Sequence, residues 1–357
     1  MVRSAAMAVV KPFRAVRYDG DVAGPLDRLV APPYDVIDDA QREELLERSP
    51  FNVVHLTLPE DEQDAARLWH EWLADGALVR DDEPSFWALE QQYVGPDGIE
   101  RTRRGLVGSL RPEPYENRVV LPHERTHAGP KEGRLHLLRA TGVHFEPIFL
   151  LNDGAPSFEF PTGAPDLEAE GARLWRLDDT GIGEAFADKQ LLIADGHHRY
   201  ETALAYGAEW IPVVLVSTTD PGLMIFPTHR LAQDVNGPPA NVDDLRAALS
   251  ELEGEPEDRA AAVLYRRDGG IAVVHGDRDQ LDVQLVEALA PGELSYTPSV
   301  DDAVAAVDSG RAAGAFLVRP TRIEDVFRFA EAGKTLPQKT TYFYPKLLSG
   351  LLFHPDD

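Results

Sequence analysis

The stretch LLIADGHHRYETALAY, residues 191 to 206, sets the tightest constraint on how this chain can fold. Leu191, Leu192 and Ile193 form a short apolar run of the kind that makes a buried strand. Gly196 then permits a tight turn and a close backbone approach. Beyond it, Ala203 and Leu204 sit where a helix would turn them inward. A strand that runs straight into a helix belongs to an α/β arrangement, and it leaves the first amides of the helix exposed at the strand's end. Those amides attract anions, and His197, His198 and Arg199 add side-chain donors beside them. Together they describe a phosphate cradle. Asp195 would repel a bare phosphate, so its expected use is to hold a cation such as Mg2+ or to take part in proton transfer. The blander alternative is a capped helix start with surface histidines.

Length and charge narrow the partners. At about 150 residues per domain, a chain of 357 residues exceeds what one core usually holds. The absence of cysteine excludes disulfides, thiolate metal sites and cysteine nucleophiles. A net charge of −26 disfavours long-range attraction to nucleic acid or anionic membrane, so any anionic ligand must meet a local positive pocket. No window approaches the roughly 18 uninterrupted apolar residues of a membrane span. The N-terminus, charged at Arg3, Lys11 and Arg14, lacks a secretory apolar region. A cytoplasmic protein is expected, with no nucleic-acid or membrane partner and an open oligomeric state.

Along the chain, residues 13–18 read as a strand, APPYDVI (31–37) as a proline-fixed turn and 39–48 as a helix. NVVHLTL (52–58) alternates like a strand, and 61–75 has helical spacing. Two strands, 86–94 and 100–110, flank the turn sequence GPDG. Then come helix 132–140, strand 145–151, helix 181–188, strand 190–194, helix 197–207 and strand 211–217. A third region, about 240–335, alternates again and ends in LPQKTTYFYPK. The expected fold class is α/β (α+β), with domains at 1–115, 116–235 and 236–357.

Three further segments carry chemistry. VVLPHERTHAGPKEG (119–133) holds His123 and Glu124, and its letters also spell H-E-x-x-H through His127. A zinc site of that type needs both histidines on one helix, whereas Pro122 precedes the motif and Gly129-Pro130 follow it. FPTHRL (226–231) supplies His229 and Arg230 after a strand. LPQKTTYFYPKLLSG (336–350) supplies Lys339, Thr340 and Thr341, while Tyr342, Phe343 and Tyr344 fit an aromatic edge strand. Lysine is scarce, six in all, yet Lys131, Lys334, Lys339 and Lys346 fall in or beside these segments. Tyr34 and Asp35, behind Pro32-Pro33, suit either a lid or a docking turn.

ADGHHRYETAL resembles the phosphate-binding motif of the ParB/sulfiredoxin superfamily, in the form seen in free serine kinases. Over most of its length the chain is also similar to a bacterial family of unknown function, number 1015, whose members carry segments like PFRA, APPYDVI, HERT and QKTTYFYPK. The kinase resemblance covers about residues 118–345. It implies a ParB/sulfiredoxin-like, serine-kinase-like region with a C-terminal α/β lobe, following an N-terminal α+β domain of unknown role. It implies Glu124 as the base that deprotonates a substrate hydroxyl, with Asp195 as a second catalytic group and metal ligand. Gly196, His197, His198 and Arg199 would hold the phosphates of ATP or ADP with Mg2+. His123, His229, Arg230, Lys339, Thr340 and Thr341 would line the substrate site. After the threonines those kinases place basic and imidazole groups, where this chain has Tyr342 and Phe343. The implied function is nucleotide-dependent phosphoryl transfer to a small hydroxylated metabolite, serine among the candidates. Phosphatase action on phosphoserine or a related ester, and nucleotide sensing without turnover, remain open alternatives.

Overall fold

The structure, a computed structural model, describes residues 7–124, 128–154, 158–178 and 181–356. It divides into two compact units. The first takes in Met1–Gly95, Ile99–Leu223 and Pro345–Asp357; the second takes in Pro96–Gly98 and Met224–Tyr344.

A nine-stranded mixed sheet organises the first unit. Its main path runs Val120–Leu121, Leu191–Asp195, Ile148–Asn152, Ile211–Ser217, Glu100–Leu110, Phe86–Val94, Ala172–Leu177 and Leu167–Ala169, with Val10–Lys11 paired to Glu100–Leu110. Alternate residues of the central strands, Leu191 and Ile193, Ile148 and Leu150, Val213 and Leu215, share one face. Tyr200 and Ala203 of the helix His197–Tyr206 pack onto that face, together with Ile182 and Phe186. A second core gathers Leu45, Leu56, Trp69 and Trp72 of the N-terminal helices around Phe145 and Phe353. The chain's end closes this core, since Phe353 exchanges backbone hydrogen bonds with Val16 at 2.8 and 3.0 Å.

The two units do not follow chain order. Strands Phe86–Val94 and Glu100–Leu110 belong to the same sheet as Ile211–Ser217, so pairing, not chain order, sets the first unit. The GPDG hairpin lies where expected, in register from Val94–Glu100 to Trp87–Val107. Residues 52–58 are a correction. Val54–Thr57 form a helical turn, because the Asn52 side chain accepts from the Val54 amide at 3.0 Å and donates to the Arg28 and Val30 carbonyls. Val53, Val54, Leu56 and Thr57 are all buried, so the alternation marked no exposed face. Residues 181–188 shorten to the 3-10 turn Ile182–Phe186.

The second unit holds a five-stranded antiparallel sheet in the order Ile271–Arg278, Arg259–Arg266, Gly314–Leu317, His229–Ala232 and Leu294–Thr297. Helices Leu245–Gly254 and Val300–Asp308 pack on one core and Asp282–Leu289 on another. Met224–Phe226 pairs separately with Tyr342–Tyr344, the aromatic strand foreseen from the sequence, in which Phe343 is buried. No described helix is long and apolar enough to cross a membrane.

Candidate active site

The strand Leu191–Asp195 ends with a bulge between Ile193 and Asp195, and the helix His197–Tyr206 starts two residues later. Gly196 makes the turn at φ +98°, a backbone conformation that favours glycine. A Cβ there would also stand 3.2 Å from the Arg199 guanidinium. Gly196, at the N-cap, has no side chain with which to cap this helix. Asp195 at a strand end and His198 and Arg199 in the first turn match the sequence reading.

Asp195 is clamped between two cations. Arg199 Nη2 donates to Oδ2 at 2.7 Å, and Lys346 Nζ donates to Oδ1. Burial alone would raise this carboxyl; Lys346 and Arg199 outweigh it and hold it at about 2. Burial pulls the other way on Lys346, but Asp195 raises it above the ordinary lysine value. Arg199 is likewise raised against burial, by Glu146, Asp195, Asp35 and Tyr34. Arg199 Nη1 also donates to the Pro147 carbonyl at 2.5 Å. Lys346 and Arg199 thus share the start of this helix with three carboxylates, Asp195, Glu146 and Asp35.

These contacts set what Asp195 and His197 offer at the turn. Asp195 does not fit the role of metal ligand, because each of its oxygens already faces a cation. Among the described residues, the group spaced to share a cation is Glu251, Glu255 and His275, in the second unit. Nor does His197 bring positive charge to the cradle. Its Nε2 accepts from the His123 backbone amide at 3.3 Å, and His123 Nδ1 donates to the Ile193 carbonyl at 2.7 Å. The rings stand edge to face, 4.7 Å apart. Burial lowers His123 to about 4 and His197 well below its ordinary value, so both are neutral at pH 7. The pair is a joint between the PHE segment and the DGHHR turn. His198 is half-buried in that first turn, and Glu124 is half-buried directly after His123. Both His123 and Glu124 precede the helix Ala128–Thr141, so they do not share a zinc-binding helix; His127 lies outside the described residues.

The N-terminal loop contributes what sequence reasoning left without a role. Glu146 Oε1 accepts from the Tyr34 amide at 3.0 Å and from Ser349 Oγ at 2.7 Å, and the Arg134 guanidinium lies 4.2 Å over the Tyr34 ring. Tyr34 and Asp35 are thereby close enough to Arg199 to act on its charge.

The remaining predicted residues gather in the second unit. Arg230 is 2% exposed in the strand His229–Ala232, which follows the strand Met224–Phe226. Its guanidinium donates to the Thr228 carbonyl and, at 3.1 Å, to the carbonyl of Lys339. Lys339 takes φ +53°, Thr340 Oγ1 donates to the Pro337 carbonyl at 2.6 Å, and Thr321 Oγ1 donates to the Thr340 carbonyl at 3.0 Å. Thr341 follows, half-buried. His229 Nδ1 accepts from the Val318 amide at 3.3 Å, and burial lowers this imidazole to about 4. Arg230 thus holds the QKTT loop by its backbone. The segment 336–350 is divided between the units: Lys339 to Thr341 belong to the second and Lys346 to the first.

Fold and site define an α/β protein built around a charge-clamped strand-to-helix turn. A family model described as a protein of unknown function, DUF1015, matches residues 10–293, and the chain belongs to that family. It is also similar to three solved structures. One is a conserved hypothetical protein from Pyrococcus furiosus, 18% identical over 65% of this chain and 92% of the other, with a TM-score of 0.36. Another is a free serine kinase in complex with AMP, 18% identical over 65% and 89%, with a TM-score of 0.39. The third is SbnI from Staphylococcus aureus with a C-terminal truncation, 15% identical over 65% and 82%, with a TM-score of 0.38. No curated protein matches the chain.

Proposed function

We propose that this protein is a nucleotide-dependent phosphotransferase acting on a small hydroxylated metabolite, with ATP or ADP as donor. The observation that carries this reading is the pairing of Asp195 with both Lys346 and Arg199 behind an uncapped helix start. It sets two fixed cations beside the backbone donors of a helix N-terminus, groups that a polyphosphate uses. The motif resemblance supports the same reading and names free serine as a candidate acceptor.

The first-turn amides and the side chains of His198 and Arg199 bind the phosphates, while Gly196 lets the backbone approach them. Asp195 fixes Lys346 and Arg199 in place and is a positioning residue. Glu124, on the segment that His123 ties to the turn, accepts the proton. The acceptor oxygen bonds to the terminal phosphorus as the bridging P–O bond breaks, and the shortened nucleotide leaves with the bridging oxygen. Mg2+ is assigned to no side chain here and enters none of these steps.

The test is incubation with Mg2+, ATP or ADP and a pool of amino acids, followed by mass spectrometry for a phosphorylated product. No product together with release of phosphate from phosphoserine would replace this reading with hydrolysis. Nucleotide binding with neither reaction would replace it with sensing.

A further inference from the structure

A cavity lies at the other end of the same sheet's central strands. Asp195 stands opposite Phe149 on the neighbouring strand, whereas Asn152, three residues further along, stands opposite Ser217. That separation is roughly 10 Å of strand. At the Asn152 end, a cavity of about 420 Å3 is walled on its apolar side by Phe158, Phe160 and Phe186. Its size falls within the range of small-molecule sites.

The polar side consists of Asn152, Ser217, Thr219 and Asp220, and its hydrogen bonds determine what it offers a ligand. Ser217 Oγ gives its one proton to the Gly154 carbonyl. Thr219 Oγ1, 2.7 Å from Ser217 Oγ, must therefore donate to it and keeps lone pairs. Asn152 donates an amide hydrogen to the Asp153 carbonyl at 3.2 Å, leaving its side-chain oxygen as an acceptor. Asp220 accepts from the Gly222 amide at 2.9 Å and from the Arg104 amide at 3.3 Å, which leaves most of its lone pairs. The cation lining the cavity is already neutralised: Arg104 Nε donates to Glu90 at 2.9 Å, and its guanidinium lies 4.6 Å over the Phe160 ring. Burial raises the Asp220 carboxyl despite these bonds and the nearby arginines, so it has charge to gain from a further cation. Three phenyl rings and a rim of acceptors ending in a carboxylate match a ligand with an aromatic body and a positively charged donor.

We propose that this cavity binds a small aromatic amine, its ring against Phe158, Phe160 and Phe186 and its ammonium on the Asp220 carboxylate. The site is independent of the phosphotransfer reading. Calorimetric titration of the full chain with tryptamine, and with indole-3-acetate as its charge-reversed counterpart, tests it. Tryptamine is expected to bind saturably and at least about tenfold more tightly than indole-3-acetate, the scale of one charge-assisted hydrogen bond. Asp220→Asn should remove most of that preference. Thr219→Trp, at an exposed position on the cavity rim, should block binding by filling the mouth, with urea unfolding unchanged from wild type. Equal affinity for the two indoles, no tryptamine binding, or unchanged binding in either variant would overturn the proposal. So would displacement of tryptamine by ATP, which would merge this site with the Asp195 one.

Discussion

Replacing Lys346 with methionine keeps the length of the side chain and removes its charge, leaving Asp195 Oδ1 buried without its cation. The cost can be worked from the titration of Asp195. Unfolded aspartate titrates near 3.9, and here it is held at about 2, a difference of roughly two units or ~2.5 kcal/mol. Breaking a buried pair costs about 3–5 kcal/mol, and Arg199 remains to share the charge, so about 3 kcal/mol is expected for Lys346→Met. The pH window follows from the sign. A depressed carboxyl lends stability that is full above about 4 and is lost as pH falls toward 2. Burial holds His123 and His354 near 4 and His144 near 3, below the unfolded value of about 6.5. Their contribution is full above about pH 6.5 and is lost on acidification, but it is common to wild type and variant and cancels in the difference.

Urea unfolding followed by tryptophan emission is suited to this measurement. All five tryptophans, Trp69, Trp72, Trp87, Trp175 and Trp210, belong to the first unit, which also contains the clamp. The difference between wild type and Lys346→Met should be about 3 kcal/mol and flat from pH 5 to 8. Adding Asp195→Asn should recover part of it, because the unpaired charge is then gone. A difference below about 1 kcal/mol at pH 7, or one that slopes across neutral pH, would refute the clamp as the source of the stability.

Three other outcomes are expected. Gly196→Ala should cost about 1–2 kcal/mol for its left-handed backbone, and it should weaken nucleotide binding by displacing Arg199; calorimetry and urea unfolding check both. Glu124→Gln should lower turnover by about 10²-fold or more while nucleotide affinity stays within about twofold, measured by product formation beside titration. Phe353→Ala should lose about 3–5 kcal/mol in the first unit, because its ring lies 5.5 to 6.0 Å from those of Tyr18, Trp69 and Phe145; the tryptophan transition reports it.

What could be read from the sequence is mostly what neighbouring residues decide. The GPDG hairpin and the strand–DGHHR–helix turn depend on a glycine at a fixed place between apolar runs, and both lie where the residues put them. NVVHLTL failed for the converse reason: its two-residue alternation was local, while its burial on every side came from helices elsewhere in the chain. The division into units was hidden because strand pairing joins residues 100–110 to 211–217 across the expected boundary.

The site shows the same limit in its chemistry. Asp195 beside two histidines and an arginine reads as a metal ligand within a ring of donors, but the group that decides its role, Lys346, lies 151 residues away. Only the clustering of scarce lysines near the QKTT segment signalled it. The charge of His197 was equally out of reach, because an imidazole's protonation follows from burial and from which nitrogen accepts a hydrogen bond. A five-residue motif fixes where donors stand along the chain. Whether a donor is a cation, a neutral joint or one arm of an ion pair is set by what tertiary packing brings against it, and here that is Ile193, His123 and Lys346.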